Sequence, residues 1–118
     1  MQLRNAHLAV VERHKLLEYL LNAAHPDNSG KAQFFESLGF TSENPEALVG
    51  ALHTVAQMGE VVEMVDSIHG EKYVVDGQVS SQTEQSRQRI VRTVWIIDRG
   101  FDAPRLVTPI RVGSERLS

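Results

Sequence analysis

The hydrophobic pattern of this chain changes its period at Gly59, and this change constrains the fold more than any other sequence feature. Before Gly59, the segment that begins at Pro45 carries Leu48, Leu52 and Val55 at helical spacing. After Gly59, short runs rich in Val, Ile, Thr and aromatic residues are separated by turn signals, a pattern typical of antiparallel strands. The four runs are EVVEMV, EKYVVDG, RQRIVRTVWIID and PRLVT.

Helices followed by strands predict an α+β domain, with about three N-terminal helices packed on one face of a four-stranded antiparallel sheet. The segment HLAVVE, before the first helix, is β-branched and typical of a short edge strand. We assign a single domain to residues 1–118, with helices in about 13–59, strands in about 60–112 and a mobile polar loop at about 78–88. The run RQRIVRTVWIID is the longest apolar strand, so we place it inside the sheet, whose second face stays open for a ligand.

Composition limits the classes of protein to which the chain can belong. Cysteine is absent, which excludes disulfides, thiolate nucleophiles and cysteine-ligated metals and is compatible with a reducing compartment. No apolar run is long enough for a membrane-spanning helix, and the N-terminus lacks the pattern of a signal peptide. We therefore expect a cytoplasmic protein without a membrane partner.

The net charge of −3 conceals an asymmetry along the chain. Residues 1–86 contain five Lys/Arg and twelve Asp/Glu, whereas residues 87–118 contain seven Arg and three acidic residues. All five histidines lie in the acidic part. Basic strands beside a histidine-bearing region suit an anionic substrate. The alternative is that the strand arginines are only solvated.

His25 and Lys31 form a candidate anion site around a predicted helix start. His25 precedes Pro26, so its backbone is biased towards an extended conformation, and its imidazole titrates near physiological pH. Lys31 follows Gly30 where the helix should begin, and the helix dipole favours anions there and disfavours cations. A lysine in this place is costly unless an anion compensates it. The alternative is a solvated loop histidine and lysine.

Two polar residues interrupt the apolar run RIVRTVWIID, and strand alternation places them on opposite faces. Arg92 could bind a phosphate through its planar guanidinium or pair with an acidic side chain. Thr93 could share its face with polar residues of the neighbouring strands. The strand candidates for a substrate site are Arg92, Thr93, Thr108, Tyr73, Trp95 and Arg105, although Trp95 also fits a core position.

Motifs for metals and common cofactors are absent from the sequence. There is no HExxH or comparable ligand cluster, no phosphate-binding P-loop, no dinucleotide fingerprint and no nucleophile elbow. We therefore expect no metal and no cofactor.

The segments KLLEYLLN, HP and GKAQFFESLGF, followed by EKYVVDG and VRTVWIIDRGFDAPRLVT, resemble an uncharacterised bacterial domain family. Its members occur as small stand-alone proteins and at the C-termini of phage head-morphogenesis and polymorphic-toxin proteins. Some stand-alone members are encoded beside a small partner protein, as toxins and antitoxins are. The resemblance covers about residues 5–108. The family usually ends in VTAYP, whereas this chain has VTPI; because Pro109 cannot donate a ladder hydrogen bond, we expect the last strand to end early.

The order of helices and strands is also similar to that of metal-independent ribonuclease toxins of the barnase, EndoU, colicin and RelE type. This resemblance implies cleavage of RNA by 2′-hydroxyl attack, a 2′,3′-cyclic phosphate product and restraint by a small antitoxin-like partner protein. His25 would be the general acid or base, and Lys31 and Arg92 would stabilise the phosphate. Tyr73, Thr93 or Thr108 would position the phosphate, and Trp95 and Arg105 would contact the substrate.

Two other functions fit the same sequence. One is a non-catalytic module that binds a protein or a nucleic acid through the open sheet face or an edge strand. The other is an antitoxin or immunity protein, because such proteins are often small and acidic.

Overall fold

A computed structural model describes residues 1–17, 31–84 and 86–111 of the chain, with only the backbone of Lys31 and of residues 108–111. A short 3-10 helix precedes three α-helices, and four strands follow them in the described residues. The 3-10 helix is Ala6–Leu8, the α-helices are α1 (Arg13–Lys15), α2 (Lys31–Ser37) and α3 (Pro45–Met58), and the strands are β1 (Glu60–Ser67), β2 (Gly70–Ser80), β3 (Gln88–Asp98) and β4 (Arg105–Arg111).

The predicted α+β architecture is confirmed. The four strands form one antiparallel sheet in the order β1-β2-β3-β4, so β3 lies inside the sheet as its apolar sequence predicts. Each strand pairs with the next along the chain, since the connections are hairpins; that between β1 and β2 has only Ile68 and His69 outside the strands. No described helix has the length and apolar character needed to cross a membrane.

The core lies between the helices and one face of the sheet. The apolar stripe of α3 packs on β2, and α2 lies against β4. The end of α3 approaches the sheet so closely that a Cβ at Gly59 would lie 2.6 Å from the carbonyl oxygen of Asp76, which explains a glycine at this junction. The largest side chains that this core buries are Trp95, Tyr73, Phe35, Phe40, Leu16, Leu38, Leu48 and Leu52.

The polar loop between β2 and β3 is shorter than the predicted 78–88. Strand β2 continues to Ser80 and β3 begins at Gln88. Val79 is buried, and Ser81 accepts hydrogen bonds through its Oγ from the backbone N–H groups of Thr83 and Glu84. The prediction overlooked Val79, which continues the alternation of β2 despite its polar neighbours.

Two further expectations about strands are wrong. The segment HLAVVE forms a 3-10 turn and a single parallel bridge between Val10 and Arg105, not a strand. Strand β4 does not end before Pro109, which pairs with Thr93 and is followed by two more strand residues. Because β4 is an edge strand, no neighbouring strand in the described chain requires the missing N–H of this proline.

Candidate functional site

The two faces of β3 differ in what covers them. Val91, Thr93, Trp95 and Ile97 share one face, as the alternation predicted, and all four are buried beneath the helices. On the other face, Ile90 is exposed, whereas Arg92, Val94 and Ile96 are half-buried. No helix in the described part of the chain covers this second face, which we call the open face.

An arginine–aspartate pair lies on the open face of the two inner strands. Arg92 and Asp76 are register partners in β3 and β2. The guanidinium donates through Nε to Asp76 Oδ1 at 2.8 Å and through Nη2 to Asp76 Oδ2 at 2.9 Å. The Arg92 side chain is 41% exposed, so solvent and ligands can reach it. The pair fixes the plane of a guanidinium that remains accessible from outside.

Asp76 was missed in the sequence, although a signal for it was present. EKYVVDG and RIVRTVWIID are consecutive strands, and a hairpin pairs their residues in reverse order. Only the pairing register of these two strands places Asp76 opposite Arg92. The register depends on the length of the loop between them, which the sequence did not fix.

A cavity of about 670 Å³ lies beside this ion pair, within the size range of small-ligand sites. It extends from the open face around one side of β2 to the last turns of α3. Its walls are mostly apolar or small, and Glu60 and Asp76 are its acidic groups. The other lining residues are Thr54, Val55, Met58, Gly59, Val62, Gly77, Gln78, Ser80, Gln88 and Ile90.

Thr93 and Trp95 are fully buried on the covered face, away from Arg92. The Thr93 hydroxyl donates to the carbonyl oxygen of Val75 at 2.8 Å and accepts from Trp95 Nε1 at 2.7 Å. These bonds satisfy the only polar groups that the two side chains bring into the core. Their surroundings give both residues a structural role, and substrate contacts for them remain untested predictions.

Tyr73 is also buried on the covered face, with its hydroxyl at the rim. The hydroxyl donates to Glu71 Oε1 at 2.8 Å, and Arg4 Nε donates to the same oxygen at 3.0 Å. Burial raises the pKa of Tyr73, and the hydrogen bond from Tyr73 followed by that from Arg4 lowers the pKa of Glu71. This group ties the N-terminal segment to β2, on the opposite face from Arg92.

Arg105 lies on the open face but far from Arg92. It donates through Nε and Nη2 to the carboxylate of Asp98, at 2.7 and 3.1 Å, and thereby lowers the pKa of Asp98. Asp98 is six residues from Arg92 along β3, or about 20 Å at the strand rise. The structure therefore does not bring Arg105 and Arg92 together.

The other predicted site residues are described in part or not at all. His25 lies outside the described residues, as do the side chains of Lys31 and Thr108. The backbone of Lys31 begins α2, which contributes Phe34 and Phe35 to the core beneath the covered face. Thr108 is the register partner of Val94, two residues from Arg92 along β3. Among the described residues, no group of three or more His, Asp or Glu side chains is arranged to hold a metal ion.

Comparison with known proteins identifies a family and a fold. The sequence profile of a domain of unknown function, DUF6883, matches residues 2–111. The chain belongs to this family. The profile extends from the N-terminal segment through β4, so the fold of the described residues is that of the DUF6883 domain. No curated protein matches the sequence.

A solved structure shares this fold. One chain of the contact-dependent growth inhibition toxin–immunity protein complex from Klebsiella pneumoniae 342 superposes with a TM-score of 0.71 and 14% identity. The match covers 90% of the DUF6883 chain and 95% of the other. At this identity the likeness establishes the fold alone.

Proposed function

We propose that this DUF6883 protein is a toxin-like, metal-independent ribonuclease that a partner protein restrains. The observation that carries the proposal is the Arg92–Asp76 pair, an oriented and accessible guanidinium beside a cavity on the open face. The fold is shared with one chain of a toxin–immunity protein complex, which supports a place in a pair formed by a toxin and its restraining partner.

The reaction is attack of a ribose 2′-oxygen on the adjacent phosphorus. The 2′-hydroxyl loses its proton to a base, the bond from phosphorus to the 5′-oxygen breaks, and the leaving oxygen takes up a proton. The products are a 2′,3′-cyclic phosphate and a 5′-hydroxyl. Negative charge grows on the phosphate oxygens in the transition state, and a preorganised cation at this position lowers the barrier most.

Arg92 is the cation that we assign to the phosphate. A guanidinium has five N–H donors in a planar fork that matches phosphate oxygens, and the Asp76 carboxylate accepts two of these hydrogen bonds. In this proposal Asp76 orients Arg92. His25 transfers the protons, Lys31 supplies a second cation, and Thr108 is a further candidate for positioning the phosphate.

Purified protein tests this directly with labelled RNA in excess EDTA. We expect cleavage with a 2′,3′-cyclic phosphate end, and a loss of about 100-fold or more in rate for Arg92→Ala, the typical effect of removing one donor to a developing oxyanion. His25→Ala should abolish cleavage while the circular dichroism spectrum stays unchanged.

Arg13→Ala is the matched control. Arg13 is also an ion-paired arginine, with Glu46 as its partner, but it lies on α1 in the helical layer. This variant should cleave RNA at the wild-type rate. An absence of cleavage by the wild type, or equal rates for Arg92→Ala and Arg13→Ala, would refute the proposal.

A non-catalytic binding function is the second candidate, because the open face also presents apolar side chains. Val65 and Ile90 are exposed there, while Val94 and Ile96 are half-buried. Such an uncovered apolar surface is typical of protein interfaces. Controlled expression in a bacterial host separates the two functions, since a ribonuclease toxin arrests growth in the absence of its partner and a binding module or immunity protein does not.

A further inference from the structure

Strand β2 has a free edge where it extends past β1. The pairing of β1 with β2 begins at Glu60 and Asp76, and β2 continues to Ser80. In the described chain, residues 77–80 pair with β3 on one side and with no strand on the other. An unpaired edge is a template for another extended chain.

The register shows which backbone groups this edge presents. The N–H of Ser81 donates to the carbonyl oxygen of Arg87, and β2 and β3 pair from Gly70 to Ser80 without a bulge. In an antiparallel pair, the residues whose backbone faces the partner alternate with those whose backbone faces away. Gln78 and Ser80 therefore direct their N–H and C=O groups outwards, away from β3.

Helix α3 forms the wall of a groove along this edge. The 670 Å³ cavity borders the edge from Gly77 to Ser80, and a second cavity, of about 220 Å³, continues beside it towards Gln82. The second cavity is lined by Gly50, Ala51 and Thr54 of α3 and by Gln78 and Ser80 of β2, among others. A Cβ at Gly50 would have no atom within 4 Å, so the helix leaves space here for an additional chain.

Charge indicates what kind of chain fits. Glu60 lines the larger cavity and forms no ion pair with any described residue. The sequence up to residue 86 carries twelve acidic and five basic residues. A second copy of this chain would bring two such acidic edges together, whereas a basic segment would neutralise Glu60.

We propose that an extended, basic segment of a partner protein adds as a fifth strand to the free edge of β2, between β2 and α3. The backbone of Gln78 and Ser80 pairs with the segment, and a Lys or Arg of the segment faces Glu60. The segment then fills the cavity that borders Asp76, next to Arg92. There it would keep RNA away from Arg92; this inhibition rests on the proposed ribonuclease function, whereas the binding of the segment does not.

The binding test uses short random peptides displayed on phage, selected against the wild-type protein, with the best binder synthesised for titration. We expect basic peptides whose dissociation constants rise about tenfold or more with Ser80→Pro, which removes one outward N–H, and with Gly50→Trp, which fills the groove. Ile68→Ser, at the hairpin tip at the opposite end of β2, is the control and should leave affinity unchanged.

Methylation of the peptide's backbone nitrogens, one at a time, tests strand addition specifically. A strand presents every second N–H to its neighbour, so methylation at alternate positions should weaken binding about tenfold and methylation between them should not. Failure to select any peptide, selected peptides that ignore both groove variants, or equal effects of methylation at every position would overturn the proposal.

The same peptide separates this inference from the ribonuclease proposal. RNA cleavage by the wild type without groove-dependent peptide binding refutes strand addition alone. Groove-dependent binding by a protein that cleaves no RNA supports strand addition and refutes the ribonuclease alone.

Discussion

The two faces of β3 use adjacent residues in opposite ways. Thr93, on the covered face, is fully buried, and its hydroxyl donates a hydrogen bond to Val75 and accepts one from Trp95. Arg92, one residue earlier, is 41% exposed on the open face and pairs with Asp76. A polar residue inside an apolar strand is therefore ambiguous in sequence, because the face decides whether it completes the core or can meet a ligand.

The Trp95→Ala variant removes the largest core side chain of the covered face and should give the largest change in stability. Trp95 is fully buried, and such truncations lower the free energy of unfolding by about 3–5 kcal/mol. Ile96→Ala, the neighbouring change on the open face, should cost clearly less because Ile96 is only half-buried. Urea unfolding followed by circular dichroism measures both; equal costs would show that the open face is also covered in solution.

Thr93→Val sharpens the comparison with a change of nearly equal volume. It removes the acceptor of the buried Trp95 N–H, and a buried donor without a partner costs about 1–3 kcal/mol of unfolding free energy. Arg92→Ala removes a partly exposed ion pair, worth about 0–1 kcal/mol. In the ribonuclease assay the order should reverse, with Arg92→Ala the more damaging. The assignment of roles to the two faces would be wrong if Thr93→Val lost activity while its stability stayed wild-type.

The two faces should differ least in how pH changes their contribution to stability, because each has a carboxyl with a lowered pKa, Glu71 on the covered face and Asp98 on the open face. The pKa of Glu71 is lowered first by the hydrogen bond from Tyr73, and that of Asp98 first by its bond from Arg105. Carboxyls with a lowered pKa stabilise the fold above their unfolded pKa, and this contribution is lost as the pH falls through their folded pKa. Melting temperatures should therefore fall on acidification.

Glu71→Gln and Asp98→Asn, measured separately, should each show a smaller fall in melting temperature than the wild type between about pH 6 and pH 3. A fall as large as that of the wild type in either variant would show that the corresponding hydrogen bonds do not contribute in solution.

Sequence reasoning located the helices, the four strands and the alternation of β3 because these depend on local periodicity. It missed the end of β2, since the polar residues around Val79 resemble a loop. It found Arg92 but neither its partner nor its cavity. Asp76 lies opposite Arg92 only because of the register between β2 and β3. The groove beside residues 77–80 exists because β1 is shorter than β2 and α3 lies next to the unpaired edge.

The sequence by itself determined the α+β class, the inner position of β3 and which of its residues share a face, because these follow from the local spacing of apolar residues. Only the tertiary structure decided that Thr93 belongs to the core, that Arg92 pairs with Asp76, and that β2 has a free edge. These properties depend on strand register and on which face the helices cover, and both are set by contacts between residues far apart in the chain.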